Sequence, residues 1–312
     1  MPLALTLHVE RMPRLRTHQR QEPAWRRLQR IADAAVPDLT LLWATLFADV
    51  RDAIPEDELR GALASGNAIL VEEVLALLWY RLGETQAQRM LPVLTQEIVA
   101  QAAAAIIPSM AVSLSITIDT AFNVLVPETR AVIDQYVGTE IRSITDLTLQ
   151  NVRQVIRSGF NESRSVTQMT HDVTSQIGLT PRQAKAIDAL REQLQGEGLS
   201  AAQVRYRTAE ASQRALRQRV EAIAKTGSMT AVNMGNYHLL VQYVKQGLLD
   251  ENRVRRYWFV AQDERLCKRC APVPGMNPDG VRLTESFATP VGTVLNPPIH
   301  VACRCTTTTE VL

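Results

Sequence analysis

Apolar residues recur every three or four positions along most of this chain, the period of an amphipathic helix. From Trp25 to Val50 the stripe runs Leu28, Ile31, Ala35, Leu41, Leu42, Leu46 and Phe47. Pro37 falls inside it. A proline removes a helical donor and crowds the preceding turn, so the spacing predicts two helices meeting there. Pro55-Glu-Asp-Glu58 predicts the next start, since proline fits a first turn and acids suit the positive end of the helix dipole. Ala68 to Leu82 is strongly apolar and predicts a bundle helix, and Pro92 predicts another that Pro108 closes after Ile107. This part of the chain reads as antiparallel helical hairpins. Trp25, Trp43 and Trp79 read as core or interface anchors.

The period then changes. Val112-Ser-Leu-Ser-Ile-Thr-Ile118 alternates apolar and polar, which predicts a half-buried strand. It closes a stretch without charges, Ile98 to Ile118, long enough to span a bilayer. Gln101, Pro108, Ser109 and Ser113 and a run of alanines argue against a span there, so no stable membrane insertion is expected. Pro127 predicts a long helix to about Ser158, ended by Gly159. Ser165-x-x-Gln168, Thr180-x-x-Gln183 and Ser200-x-x-Gln203 are capping boxes that predict three further helix starts. Helices are expected up to about Leu249, with basic ones ending near Thr226 and Gly235. Arg205, Arg207, Arg214, Arg217 and Arg219 load this region. They read as a solvated face partly neutralised by Glu210 and Glu221, or as a contact for phosphates or an acidic protein surface.

Composition adds little to this picture and removes some alternatives. Hydrophobic residues make up 46% of the 312 residues and aromatics only 5%, which favours helices packed by Ala, Leu, Ile and Val over a β-sandwich. Net charge is +2, so the chain is no polycation. Its first residues are uneven, with Arg11, Arg14, Arg16, Arg20, Arg26, Arg27 and Arg30 against Glu10 and Glu22. This arm could meet nucleic-acid phosphates or simply be solvated. The start lacks a basic region followed by a long apolar one, so no secretory signal is expected.

The chemistry gathers at the end of the chain. All four cysteines lie there: Cys267-x-x-Cys270, then His300-x-x-Cys303-x-Cys305. A tetrahedral zinc ion takes four soft donors at about 2.0–2.3 Å, often two from each of two tight turns. Two clusters on separate turns meet that need, and five donors for four positions leave one spare. Either Cys303 and Cys305 both ligate with His300 outside, or one of them stands behind the shell. Arg269 and Arg304 sit within the clusters, where positive charge favours thiolates. Disulfides between the clusters and unpaired core cysteines are the other readings. The loop from Ala271 to Pro298 holds Pro272, Pro274, Gly275, Pro278, Gly280, Pro290, Gly292, Pro297 and Pro298, turn chemistry with little scope for regular structure. Such a module is expected to bury little apolar surface and to need a metal staple.

The run Trp258-x4-Asp263-x-Arg265-x-Cys267-x2-Cys270, followed by Pro297-Pro298-x-His300-x2-Cys303-Arg304-Cys305, resembles the C-terminal module of the phage head morphogenesis, or minor head protein, family, which includes the F protein of phage Mu. The family usually has proline where Val301 stands. The middle of the chain is similar too, although Lys225-Thr226-Gly227 replaces the family's Arg-Thr-Glu. The resemblance covers about residues 112–309. It implies a non-enzymatic minor capsid protein of the virion interior, present in the host cytoplasm during assembly. Such a protein would bind the portal protein and other capsid or scaffold proteins and assist head assembly, DNA packaging or ejection. The basic arm could touch packaged DNA.

The expected fold class is therefore mainly α. A basic arm (1–30), a helical N-terminal domain (31–111) and a helical middle domain (112–250) precede a zinc-stapled, loop-rich module with short β-strands (251–312). The alternative function is a metal-dependent nuclease. That chemistry needs an open metal position and a nearby base. His8, His18, His171 and His238 are remote from the module in sequence, which leaves Asp263 as a candidate base and Arg265 as a phosphate clamp.

Overall fold

The computed structural model describes residues 23–114, 122–260 and 266–312. The expectations that rest on residues 1–22, on 115–118 and on Asp263 and Arg265 lie outside the described residues. The architecture is mainly α. Eight longer helices come first: α1 (Ala24–Asp52), α2 (Glu56–Ala64), α3 (Ala68–Leu78), α4 (Thr85–Leu114), α5 (Pro127–Asn161), α6 (Val166–Gln176), α7 (Pro181–Gly196) and α8 (Ala201–Lys245). A π-helical turn, Trp79–Glu84, joins α3 to α4. The tail holds β1 (Val254–Phe259), the short α9 (Val273–Met276), β2 (Phe287–Thr289), β3 (Gly292–Val294) and β4 (Thr306–Val311). β1 pairs antiparallel with β4 from Val254 opposite Val311 to Phe259 opposite Thr306, and β2 with β3 forms a small hairpin.

Several sequence-based boundaries are corrected. Pro37 does not split α1, Pro108 does not close α4, and residues 112–114 are helix rather than strand. Leu28, Ala32, Leu39, Leu42, Leu46 and Val50 keep one helical phase across Pro37, and all are buried. Continuous burial along that stripe outweighs the roughly 3 kcal/mol that an interior proline costs. Pro92 likewise lies inside a helix that starts at Thr85. Residues 24–30, expected in the basic arm, are the first turns of α1. The basic helices expected before Leu249 are one helix, α8.

The chain divides into two compact units that are discontinuous in sequence, unlike the contiguous division expected. One comprises residues 1–37, 94–133 and 223–312, the other 38–93 and 134–222. Two of the division points fall at or beside Pro37 and Pro92.

In the second unit Trp43, Phe47 and Trp79 form a ring cluster, with the Trp79 indole donating to Thr145 Oγ1 at 2.7 Å. The capping boxes at Ser165, Thr180 and Ser200 form as the sequence predicts. Each such cap is worth about 1 kcal/mol. Arg205, Arg207, Arg214 and Arg217 are exposed, but Arg219 is buried. Its guanidinium donates to the Gly178 carbonyl and lies over the Phe47 ring at 5.4 Å. Burial lowers its pKa to about 10.

In the first unit Arg27 ties α1 to α4, donating to Ala105 O at 2.9 Å and Ser109 Oγ at 2.6 Å. Gly235 of α8 meets α4 so closely that a Cβ there would stand 2.3 Å from the Val99 carbonyl oxygen. By length and composition alone, Ala24–Asp52 and Ala68–Ala111 could each cross a membrane. Their inward residues, among them Trp43, Leu46, Val71, Leu75, Val99 and Ala102, are buried within the protein.

Candidate metal centre

The tail is built on a strand whose inward face reads Val254, Arg256, Trp258. Side chains alternate across a strand, so these three share one side. Trp258 packs edge-on against Phe287 at 5.3 Å, within a core that includes Val273, Val281 and three of the cysteines. The module therefore has an apolar core of its own, contrary to the expectation that it buries little.

Arg256, fully buried, organises the proline-rich loop. Its guanidinium donates to the carbonyls of Leu295 at 2.9 Å and Glu285 at 2.5 Å, and to Asn296 Oδ1 at 2.8 Å. It lies between the rings of Tyr237 and Phe287, at 5.0 and 5.1 Å. Burial lowers its pKa to about 10.

The first cysteine turn closes with Cys270 N donating to Cys267 O at 3.1 Å and to Cys267 Sγ at 3.3 Å. The second closes with Cys303 N donating to His300 O at 3.2 Å, and Ala302 takes a left-handed φ of 55°. β4 begins directly after Cys305. Helix α8 holds this second turn at three points. Thr226 Oγ1 accepts from Ala302 N at 2.9 Å, Asn233 donates to Cys305 O at 3.0 Å, and Asn236 donates to Thr307 O at 2.9 Å. The two asparagines, one helical turn apart in a helix interior that usually disfavours them, were a legible signal. So was an arginine on the inward face of a strand.

All five expected donors come together. They form two overlapping triads, Cys267–Cys270–His300 and Cys270–Cys303–Cys305, each with ligand atoms within 4.8 Å of one another. Cys270 belongs to both. The four cysteines are free thiols, and Cys270 Sγ lies 3.7 Å from Cys303 Sγ, so the disulfide reading fails. With zinc–sulfur bonds of about 2.3 Å, the sulfur–sulfur edge of a tetrahedron is about 3.8 Å, close to that separation. His300 Nδ1 lies 2.8 Å from Val301 O, an acceptor only. In the neutral ring the proton therefore sits on Nδ1, and the Nε2 lone pair faces Cys267 and Cys270, each at 3.0 Å. A sulfur–nitrogen edge around zinc is about 3.6 Å, so metal entry would move the ring out by roughly half an ångström.

The thiols are unequal. A hydrogen bond from Cys305 pulls Cys303 down to about 5, against the effect of burial. Burial raises Cys270, and the same Cys303 hydrogen bond together with burial raises Cys305. Burial opposes ionisation of Cys267 too, but donors from Cys270 and from the backbone hold its thiol below the usual value. Burial and neighbouring thiols thus lead these shifts. Several buried thiolates can coexist only around a cation, and this soft N/S cluster can hold a metal ion compatible with zinc.

Fold and site together define a mainly helical protein with a short antiparallel tail carrying a Cys/His cluster that could hold a metal ion. Comparison with protein-family models, curated proteins and solved structures finds no match.

Proposed function

We propose that the chain is a minor head protein of a tailed phage or prophage whose tail module holds one structural zinc ion. The observation that carries this reading is the convergence of Cys267, Cys270, His300, Cys303 and Cys305 from two tight turns. Those are the residues through which the sequence resembles the head morphogenesis family. Cys270, Cys303 and Cys305 are buried, which suits a closed structural site rather than one awaiting substrate. The ion would be held by four of the five donors and would cross-link the two turns at the start of β4. In this reading the protein works by binding. It meets the portal and other capsid or scaffold proteins inside the assembling head, and leaves the host cytoplasm within the virion.

The test is sedimentation of the tagged chain with procapsids, alongside elemental analysis of the purified protein. Portal-dependent co-sedimentation and about one zinc per chain are expected. Absence of both would remove the reading. The second reading, a metal-dependent nuclease, is favoured by one feature. An open hollow of about 550 Å³ beside the cluster is lined by Cys267, Lys268, Arg269, His300 and Val301, and places two basic residues at its rim. Incubation with duplex and single-stranded DNA in the presence of zinc, magnesium or manganese separates the two. Cleavage lost in His300→Ala would favour the nuclease.

A further inference from the structure

We infer that the outer face of α3 and of the π turn after it pairs with the same face of a second copy of the chain, antiparallel and about a two-fold axis at Leu77. Every residue the inference uses lies in the second compact unit, so it is independent of the metal tail.

The face is apolar where an outward helix face is ordinarily polar. Ile69, Leu70, Leu77 and Tyr80 are 67, 40, 53 and 59% exposed, whereas only Val71 and Leu75 of α3 are buried. So dense a run of outward apolar side chains gains nothing in a lone chain and marks a contact surface. Beside it lies a shallow groove of about 160 Å³, whose apolar lining is Ile69, Ala76, Leu149 and Val152.

The charges on this face say what covers it. Glu73 and Arg81 are exposed, and neither has an ion-pair partner among the described residues. Each stands four residues from Leu77, on opposite sides of it. Residues at that spacing share a helix face. The stripe also stays straight. The helix runs unbroken from Ala68 to Ala111, and between Leu77 and Arg81 it passes from α into π winding. An α turn takes about 3.6 residues and a π turn more than four, so the two drifts from a four-residue repeat oppose each other. A two-fold axis at Leu77 therefore sets Leu77 on Leu77 and Glu73 of each copy against Arg81 of the other. It also brings Tyr80 of each copy beside Leu70 and Val74 of the other. An isologous contact needs a surface complementary to itself, and an acid and a base placed evenly about an apolar centre meet that need. A lipid surface would call for basic residues around the apolar strip, and here an acid balances the base.

The test is sedimentation equilibrium of the full-length protein over the micromolar range. One helix pair buries less than a standard interface, so a reversible monomer–dimer equilibrium is expected there. Leu77→Glu places two acids on the axis and should leave only monomer. Glu73→Arg and Arg81→Glu each set like charges together twice, and each should weaken the dimer by about tenfold or more. The double variant carrying both swaps restores opposite charges and should dimerise to within about threefold of the parent. An equal mixture of the two single variants should form a heterodimer tighter than either forms alone. All three residues are exposed, so melting temperatures in dilute solution should match the parent and separate lost pairing from lost folding. A parent that stays monomeric throughout overturns the proposal and leaves the face to a different protein. A dimer that Leu77→Glu does not disturb, or that the double variant does not restore, overturns it equally.

Discussion

The Asn233 side-chain amide donates to the carbonyl oxygen of Cys305 at 3.0 Å, and it also donates to Met229 O one turn back in its own helix at 2.9 Å. Asn233 is fully buried. One residue thus joins the interior of α8 to the last cysteine before β4. Asn233→Ala leaves the Cys305 carbonyl without its donor in a site water does not reach. The expected loss is about 1–3 kcal/mol of stability. A residue that orients a ligand loop also affects metal retention, so zinc transfer to a chelator should quicken by about tenfold. Denaturant unfolding and a chromogenic zinc-release assay read the two effects separately.

Gly235 follows two residues later on the same helix. Replacing a helical glycine by alanine normally gains about 1 kcal/mol. Here the new methyl would stand 2.3 Å from the Val99 carbonyl oxygen and 2.9 Å from Ala102 Cβ, and a backbone oxygen cannot swing aside. Overpacking should win, with a net loss of about 2 kcal/mol. Gly235→Ala melting at or above the parent temperature would show that α4 and α8 are not held this close.

Much of this was legible from residues, and the reasons for the misses are physical. The capping boxes at Ser165, Thr180 and Ser200 are local chemistry, and they form as read. The five candidate donors announced themselves by spacing, and the structure brings them together. Pro37 and Pro92 misled because local propensity loses to an apolar stripe that stays in phase through the proline. The alternation after Val112 misled because three of its residues continue α4. Arg219 looked like one of five surface arginines, but only its partner carbonyl at Gly178, 41 residues away in sequence, puts it inside. The residue types at 256 and 233 were signals, but their acceptors could not be read for the same reason: they lie 29 to 72 residues away in the chain.

Cys270 is the single donor shared by both triads. Cys270→Ser should therefore abolish zinc binding. Cys305→Ser or His300→Ala removes a donor from one triad only and should leave weaker but measurable binding. Loss of the ion should unfold the tail while the helices persist, because metal binding and local folding are linked. Hydrogen exchange of β1 and β4 amides should rise to the unprotected rate in Cys270→Ser. Far-ultraviolet circular dichroism should stay close to the parent. Equal zinc affinity in Cys270→Ser and His300→Ala would contradict the shared-donor geometry.

His171 gives the helical part a pH dependence. Burial, with Arg191 and Arg205 nearby, lowers its pKa below 6.5, and the attraction of Asp172 only partly offsets this. The unfolded chain then binds the proton more readily than the folded one. Stability from this group is present above the unfolded pKa and is lost as pH falls through the lowered folded value. His171→Gln removes the titrating group. The parent's stability should fall more steeply than the variant's as pH drops below about 6.5, the side of the histidine range to which the shift points. Measuring both proteins after metal removal keeps thiol protonation out of the comparison.

Arg256 separates two accounts of what holds the tail together. If the metal alone staples the loop, replacing a residue that touches no donor should matter little. The structure gives Arg256 a larger part, since one guanidinium satisfies the carbonyls of Glu285 and Leu295 and the Asn296 side chain while lying between two rings. Arg256→Met keeps most of the volume but leaves those acceptors without a donor. The expected loss is about 3–5 kcal/mol, the range for removing one partner from a buried polar network. Arg256→Lys keeps the charge but offers a point donor where a planar fork is used, so it should recover only part of that loss. The decisive comparison is made with saturating zinc. A zinc-loaded Arg256→Met tail that shows parental amide protection would assign the folding of the module to the metal. Protection lost despite bound zinc would show that the buried arginine is needed as well.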